Sequence, residues 1–438
     1  MMVKKNKNKD LWKRAKKIIP NGNMLLSKNP DQFIPDIWPT YYSKASGVKI
    51  WDLEGNLYKD FSIMGVGTNI LGYANREVDL AVKNSIKKSN MSTFNCPEEV
   101  YLAEELIKMH PWSDMVKFAR TGGEANTIAI RIARAATANH TVAVCGYHGW
   151  HDWYLAANLS SNKNLDNHLL PGLKANGVPR DLKNSIYTFE YNKFDELKKL
   201  VMEKKIGIIK MEVSRSEPPK NDFLLKVRKL CNQKNIILIF DECTSGFRET
   251  YGGLHKKYKV NPDMAIFGKA IGNGYALTAI IGKKEIMENS LSTFISSTFW
   301  TERIGSVASL KTLEIMKREK TWNYITNLGK KIKNGWKEIA NNNNINIKIS
   351  GLDALPLFTF ESNCHLEYKT YLTQEMLKKG LLASNTIYVS TAHDENKLKD
   401  YFSILDETFN NLSKYENGSK NLKFLTNKKS KQSFKRLN

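Results

Sequence analysis

The chain has 438 residues, 41% hydrophobic and 10% aromatic, enough for a large core and more than one domain. Its formal charge of +23 is concentrated at the ends: residues 1–17 hold eight Lys/Arg and one Asp, and residues 417–438 hold seven Lys/Arg and no acid, which leaves +9 for the body. Solvated tails explain that distribution better than a nucleic-acid face does, and no run approaches the ~20 apolar residues of a membrane span.

Five scattered cysteines without a C-x-x-C pair argue for a reducing, cytoplasmic setting and against a disulfide framework or a zinc site. The charged start "MMVKKNKNKDLWKRAKK" has no apolar region after it, so no secretory signal is expected.

Residues 1–46 read as an N-terminal arm, with "IIPNGNMLLSKNPDQF" as loop. "GVKIWDLEGNLYKDFS" then alternates like a β-hairpin around Glu54-Gly55-Asn56. "EVDLAVKNSIKKS" has helical spacing, and "PEEVYLAEELIKMH" opens with the Pro and Glu of a helix first turn.

From Met115 short apolar runs alternate with amphipathic helices. "MVKFA" precedes a helix over Glu124–Ala136, and "TVAVCG" precedes a polar loop over Ser160–Lys183. "SIYTFEY", "IGIIKMEV", the helix "DFLLKVRKLCNQK", "IILIFDE", "MAIFGK" and "ALTAIIG" follow. Continuous apolar strands with helices between them predict an α/β domain on a mostly parallel sheet, assigned to residues 47–320, with its first part lent to a smaller domain. Residues 321–415 carry the long helix "TWNYITNLGKKIKNGWKEIANN", strands near "INIKISG" and "PLFTFES", and two further helices, a smaller α+β domain. Residues 416–438 form a basic tail, low in apolar side chains and read as loose.

In open α/β sheets ligands gather at the carboxyl ends of strands, and four strand ends here carry chemistry. "MVKFA" runs into Gly122-Gly123 at a helix start, where bare amides make an anion site. "TVAVCG" runs into the aromatic-histidine cluster "YHGWHD", with Tyr147 first. "IILIF" ends in Asp241-Glu242, and a buried carboxylate needs a partner or serves as a helix cap. "MAIFG" ends in Lys269, where a snorkelling side chain is the plain alternative. Together these parts suit pyridoxal 5'-phosphate: a phosphate for the glycines, a ring for the aromatic, a ring nitrogen for Asp241 and an aldehyde for Lys269.

With "RTGGEAN", "YHGWHD", "IFDECTSGFR", "FGKAIGNGY" and "SSTFW" in this order, the chain resembles the class III aminotransferases of the fold-type I pyridoxal-phosphate enzymes. The likeness covers roughly Gly47 to Lys320, ends in a family-like "STAHDENKL" that includes His393, and within the class is nearest to the glutamate-1-semialdehyde aminomutase group.

The resemblance implies that Lys269 is the Schiff-base lysine and proton shuttle, that Asp241 binds the pyridine nitrogen and that Tyr147 stacks on the ring. It also implies that Gly122 and Gly123 hold the phosphate and that Thr298 reaches the phosphate of a neighbouring subunit, so that a homodimer shares its sites. Glu212 and Arg248 become second-line or substrate contacts. Two departures stand out: the aminomutase group reads Thr-Gly-Ser where this chain has Thr121-Gly122-Gly123, and "TFWTERIG" replaces that group's Gly-Thr-Leu-x-x-Asn-Pro.

The expected function is therefore pyridoxal-phosphate-dependent transfer of an amino group between an amino donor and a small carbonyl compound. The near alternative is an aminomutase moving the group within one molecule, distinguished by product forming without added donor. A third class, a binding protein that borrowed the fold, is countered by intact Lys269 and Asp241. The Ser160–Lys183 loop and the arm near "NMLLSKNPDQF" are expected to shape the substrate pocket.

Overall fold

The computed structural model describes residues 6–168, 173–214, 216–416, 418 and 428–431. Most of the basic tail, and residues 169–172 of the predicted polar loop, lie outside the described residues.

The strands in chain order are β1 (Tyr42–Ser46), β2 (Lys49–Asp52), β3 (Leu57–Phe61), β4 (Met115–Ala119), β5 (Val142–Cys145), β6 (Ile186–Thr188) and β7 (Ile208–Glu212). They continue with β8 (Ile237–Asp241), β9 (Met264–Phe267), β10 (Thr278–Gly282), β11 (Ile347–Ser350), β12 (Leu357–Phe360) and β13 (Leu381–Ala383). The chain divides into two compact units: Arg76–Asn323 is one, and the stretch up to Asn75 with the stretch from Tyr324 is the other.

The Arg76–Asn323 unit is built on a seven-stranded sheet of order β4-β10-β9-β8-β7-β5-β6. Pairs β5–β6, β5–β7, β7–β8 and β8–β9 are parallel, while β10 runs antiparallel to both β4 and β9. The sheet is thus mostly parallel, as expected from its unbroken apolar strands. Every residue of β5, β7, β8, β9 and β10 is buried, the pattern of strands covered on both faces.

The helix Gly122–Thr137 covers part of one face. Ala125, Ile128, Ala129, Ile132 and Ala133 recur at helical spacing and are all buried in a core shared with Val144, Ile239, Ile266 and Ile280. Its start is fixed by a capping box: Thr121 Oγ1 accepts from the Glu124 amide, and the Glu124 carboxylate accepts from the Thr121 amide at 2.8 Å. Small residues on the inner face let this helix sit close to the sheet, which carries its N-terminus to the strand ends.

The other unit holds the sheet β1-β2-β3-β13 and the pair β11–β12. The predicted hairpin is present as β2 and β3, antiparallel. The long helix runs over Thr321–Asn342 as the sequence indicates, and two more helices, His365–Lys378 and Glu395–Glu416, follow it. Trp336 packs on Phe358 and donates to the Tyr401 hydroxyl at 2.9 Å, while Tyr401 stacks on Phe61. His393, noted in the family-like ending, is fully buried: Nε2 donates to the Asp60 carbonyl and Nδ1 accepts from the Ser390 amide. The arm is not all loop. Lys7–Ile18 is a helix with Asn6 as its cap, followed by three short 3-10 turns.

Candidate functional site

Lys269 ends the apolar stretch of β9 and is the first residue of a 3-10 turn, Lys269–Gly272. Its φ of 48° is left-handed, an uncommon conformation for a side-chain-bearing residue and one held only where the surroundings fix it. The side chain is half-buried, and Nζ donates to Thr244 Oγ1 at 2.8 Å. Thr244 belongs to the loop that leaves β8, and its carbonyl accepts from Arg248 Nε at 2.6 Å. Arg248 is buried to 1% exposure and folds back under this loop. The structure therefore places Arg248 behind Thr244, and Thr244 against the lysine.

Asp241 is the last residue of β8 and is 4% exposed. Oδ2 accepts from His148 Nδ1 at 2.9 Å, and Oδ1 accepts from the Cys243 amide at 3.1 Å. His148 Nε2 faces the Cys145 carbonyl at 3.1 Å. Both ring nitrogens of His148 therefore face oxygen acceptors. Burial pushes the Asp241 carboxyl up, but the Lys210 ammonium, then the His148 hydrogen bond and charge, outweigh it and hold the group well below the ordinary carboxylate range. Asp241 is therefore an anion facing the end of the sheet.

Lys210 comes from the neighbouring strand. Register pairs Glu212 with Asp241, and Lys210 lies two residues before Glu212, so all three side chains share one face. Lys210 is fully buried, and Nζ has no hydrogen-bond partner among the described residues. Burial pushes its pKa down, with Asp241 the leading opposing influence.

Glu212 is also buried, and its Oε2 accepts from the Tyr147 amide at 3.2 Å. Gly146 permits this contact, because a Cβ there would fall 2.6 Å from Glu212 Oε2 and its φ is +103°. Tyr147 is half-buried and packs edge-on against Tyr154, whose hydroxyl donates to the Gly146 carbonyl. Glu212 thus holds the backbone that presents Tyr147.

Gly122 and Gly123 open the sixteen-residue helix, where the first N–H groups have no intrahelical partner and the dipole favours an anion. Cys243 links this helix start to the lysine turn: a Cβ on Gly122 would lie 3.6 Å from its Sγ, and one on Gly268 would lie 3.3 Å from it. Gly122, Gly123, Asp241, Lys269 and Tyr147 are therefore gathered at one end of the sheet.

Thr298 makes no side-chain hydrogen bond with any of them. It starts an exposed 3-10 turn, Thr298–Thr301, whose carbonyls at Phe299 and Trp300 accept from Arg120. The turn is nevertheless tied to the flanks of the glycine pair, Trp300 Nε1 donating to Glu124 Oε1 at 3.2 Å. Thr244, His148, Lys210 and Cys243 received no role from the sequence, although three of them sit inside the motifs quoted there. For Lys210 the signal is a charge inside an apolar stretch of strand; His148, Cys243 and Thr244 lie past the strand ends, and no local signal separates them from their neighbours.

The donor set fits pyridoxal 5'-phosphate. It offers bare helix-start amides for a phosphate, a carboxylate kept anionic for a protonated ring nitrogen, and an amine with φ and hydrogen bond both fixed for an aldehyde.

Comparison with known proteins agrees. The model of the family "Aminotransferase class-III" matches residues 35–396. The chain is 33% identical to the 3-aminobutyryl-CoA aminotransferase of Cloacimonas acidaminovorans (strain Evry), over 85% of this chain and 88% of that protein. It is 30% identical to the glutamate-1-semialdehyde 2,1-aminomutase of Methanosphaera stadtmanae, over 94% of this chain and 100% of that one. Among solved structures it is similar to the FumI protein of Sphingopyxis sp. MTA144 in its PLP internal aldimine form, at a TM-score of 0.83 and 21% identity, over 93% and 97% of the two chains.

Proposed function

Because this chain belongs to the class-III aminotransferase family and its cofactor is pyridoxal 5'-phosphate, we propose that Lys269 is the amine through which it moves an amino group between an amino donor and a small carbonyl compound. When bound, the cofactor supplies the aldehyde and an electron-withdrawing ring. The observation that carries the reading is the convergence of Lys269 Nζ, the Asp241 anion and the Gly122-Gly123 amides at one end of the sheet.

In this reading the Gly122 and Gly123 amides hold the phosphate, Tyr147 lies against the ring, and Asp241 keeps a proton on the ring nitrogen. Lys269 Nζ would take the proton from the substrate carbon and deliver it to the carbon of the cofactor's aldehyde, an acid–base task for one amine held on a fixed turn. His148 keeps Asp241 oriented, Glu212 holds the Tyr147 backbone, and Arg248 braces Thr244, the acceptor of the lysine.

Thr298 completes the site from a second copy. Support comes from exposed Phe94, Leu291, Phe294 and Phe299 in the segments around it, apolar area that a homodimer would cover. Sedimentation showing only monomer at micromolar protein would refute this part.

Residues 47–320, their first part lent to the smaller unit, are the proposed cofactor-binding domain and 321–415 the small domain. A cytoplasmic location is proposed from five free cysteines, and no helix among the described residues is long and apolar enough to cross a membrane.

The aminomutase reading rests on similarity to the Methanosphaera stadtmanae protein over its whole length. Incubation with ¹⁵N-labelled amino donors and a panel of carbonyl acceptors separates the two. Transfer of label that is lost in Lys269→Ala supports the transaminase; product formed without donor supports the aminomutase; transfer that survives Lys269→Ala overturns the assigned chemistry.

A further inference from the structure

The turn Thr298–Thr301 has no core of its own. It buries none of its residues, and Thr298, Phe299 and Thr301 are exposed. A segment with so little apolar burial opens easily unless polar contacts fix it. Arg120 supplies those contacts. Its Nε donates to the Phe299 carbonyl at 2.9 Å, and Nη2 donates to the Trp300 and Glu302 carbonyls at 2.8 and 2.7 Å. The Glu302 carboxylate closes the clamp, 3.3 Å from Nε, and the arginine side chain is only 10% exposed. Three carbonyls converging on one planar fork leave the turn a single orientation.

The clamp grows from the glycine pair. Arg120 precedes Thr121, the helix cap, and its amide donates to Glu124 Oε2 at 3.2 Å. The other oxygen of that acid, Oε1, accepts from Trp300 Nε1 at 3.2 Å. Glu124 thus binds the lead-in to Gly122-Gly123 with one oxygen and the turn with the other. Past the turn, the Arg303 and Ile304 amides each donate to Asn90 at 3.0 Å, and the Arg303 guanidinium makes a two-bond pair with Glu98. The Thr298 carbonyl accepts from Thr301 Oγ1 at 2.9 Å, which closes the turn and leaves the exposed Thr298 hydroxyl outside all of these contacts. Both clamp partners on the turn, Trp300 and Glu302, belong to "TFWTERIG", the stretch that departs from the aminomutase group.

We propose that Arg120 is a positioning residue for the cofactor phosphate: by fixing the turn, it aims the Thr298 hydroxyl of one copy at the phosphate bound in the other. The inference rests on the reading of Thr298 as completing the site from a second copy. A hydroxyl already held in place loses less freedom on meeting the anion, so the arginine contributes affinity through Thr298.

The test is a double-mutant cycle on affinity rather than turnover. Dissociation constants of the apo-protein for pyridoxal 5'-phosphate and for pyridoxal, which lacks the phosphate, are read by visible absorbance titration. Thr298→Ala should weaken the phosphorylated ligand about 10- to 100-fold, the range of one hydrogen bond to a charged group. Arg120→Met should weaken it about 5- to 30-fold, the equivalent of ordering one residue's backbone. Both should leave pyridoxal within about twofold. The double variant should bind no more weakly than Thr298→Ala alone, where independent losses would multiply. Arg120→Lys keeps the charge beside Glu302 but offers one amine to three carbonyls, so it should show the same loss and the same non-additivity. Sedimentation should find each variant dimeric.

Losses that multiply in the double variant, equal weakening of both ligands, or an Arg120 variant that sediments as monomer would make the arginine a general brace and overturn the proposal. Unchanged affinity in both Arg120 variants beside a weakened Thr298→Ala would overturn it while sparing the Thr298 reading. If Thr298→Ala binds as the wild type does, that reading falls and the proposal falls with it, which separates the two failures.

Discussion

Replacing Glu242 with glutamine tests the scaffold that holds the lysine's partner. Asp241 and Glu242 are consecutive, so their side chains leave the strand end in opposite directions. Glu242 is fully buried and accepts four hydrogen bonds: Oε1 from the His255 amide (3.0 Å) and His255 Nδ1 (2.7 Å), Oε2 from the Leu254 amide (2.7 Å) and Ser245 Oγ (2.8 Å). Trp112 Nε1 donates to His255 Nε2 at 3.0 Å, which fixes the histidine proton on Nδ1. A glutamine does least harm with its NH2 toward Ser245 and Leu254, because the hydroxyl can turn to accept. The Leu254 N–H is still left unpaired at about 1–3 kcal/mol, and the three remaining bonds each lose roughly 0.5–1 kcal/mol of charge assistance. The expected loss is about 3–5 kcal/mol, a large fraction of ordinary domain stability.

The sign with pH follows from the carboxyl. Burial raises its pKa, but His255 and the Leu254 amide lower it by more, so the folded value lies below the ordinary 4.5. Its contribution is present above that unfolded value and is lost as pH falls through the folded one. Urea unfolding of the apo-protein should therefore show the full gap near pH 7, with an unchanged m-value, and a smaller gap near pH 4. A loss under about 1 kcal/mol near pH 7, or a gap that widens on acidification, would refute the argument.

Thr244→Val removes the acceptor of the Lys269 Nζ bond and should lower the observed transfer rate about tenfold while leaving urea stability within roughly 1 kcal/mol. His148→Phe leaves a buried Asp241 carboxylate oxygen without its hydrogen-bond donor, a loss of about 1–3 kcal/mol. Adding Asp241→Asn should cost less than the sum of the two single losses, as unfolding curves of the three variants would show. Lys210→Met removes the ammonium that does most to offset the burial of the Asp241 carboxylate, and should lower urea stability near pH 7 by about 3–5 kcal/mol; unchanged or raised stability would contradict this. Gly329→Ala puts a Cβ 1.7 Å from the Asp353 carbonyl oxygen, and the variant should lose thermal stability by several degrees.

Much of this was legible because the buried strands are continuous apolar runs, and a lysine, an acid or a glycine pair at the end of such a run is conspicuous. The Thr321–Asn342 helix is read to its ends from periodicity. Strand direction is not carried by that signal: "ALTAIIG" looks like its neighbours, yet β10 runs against both of them. The Lys7–Ile18 helix escaped because seven of its residues are charged and only Ala15 and Asn8 are buried. The three residues of β13 are too few for any period. In the site, the pairing of His148 with Asp241 joins residues 93 apart, and nothing local in either motif encodes it.

The two consecutive acids show why local reading stops where it does. As sequence, Asp241 and Glu242 are equivalent, and a structural cap was as good an account of either as a functional role. Tertiary contacts divide them. Glu242 spends both oxygens on the loop's own amides, Ser245 and His255, and has none left for a ligand. Asp241 keeps its anion with one histidine, one amide and an ammonium that makes no hydrogen bond to it. The structural acid fixes the loop that bears Thr244, and through Thr244 the direction of Lys269, while the other acid is the one proposed to meet the cofactor ring. Exchanging the two, Asp241→Glu with Glu242→Asp, conserves charge and composition and should abolish both functions, since each carboxylate would stand one methylene from the donors that define its task.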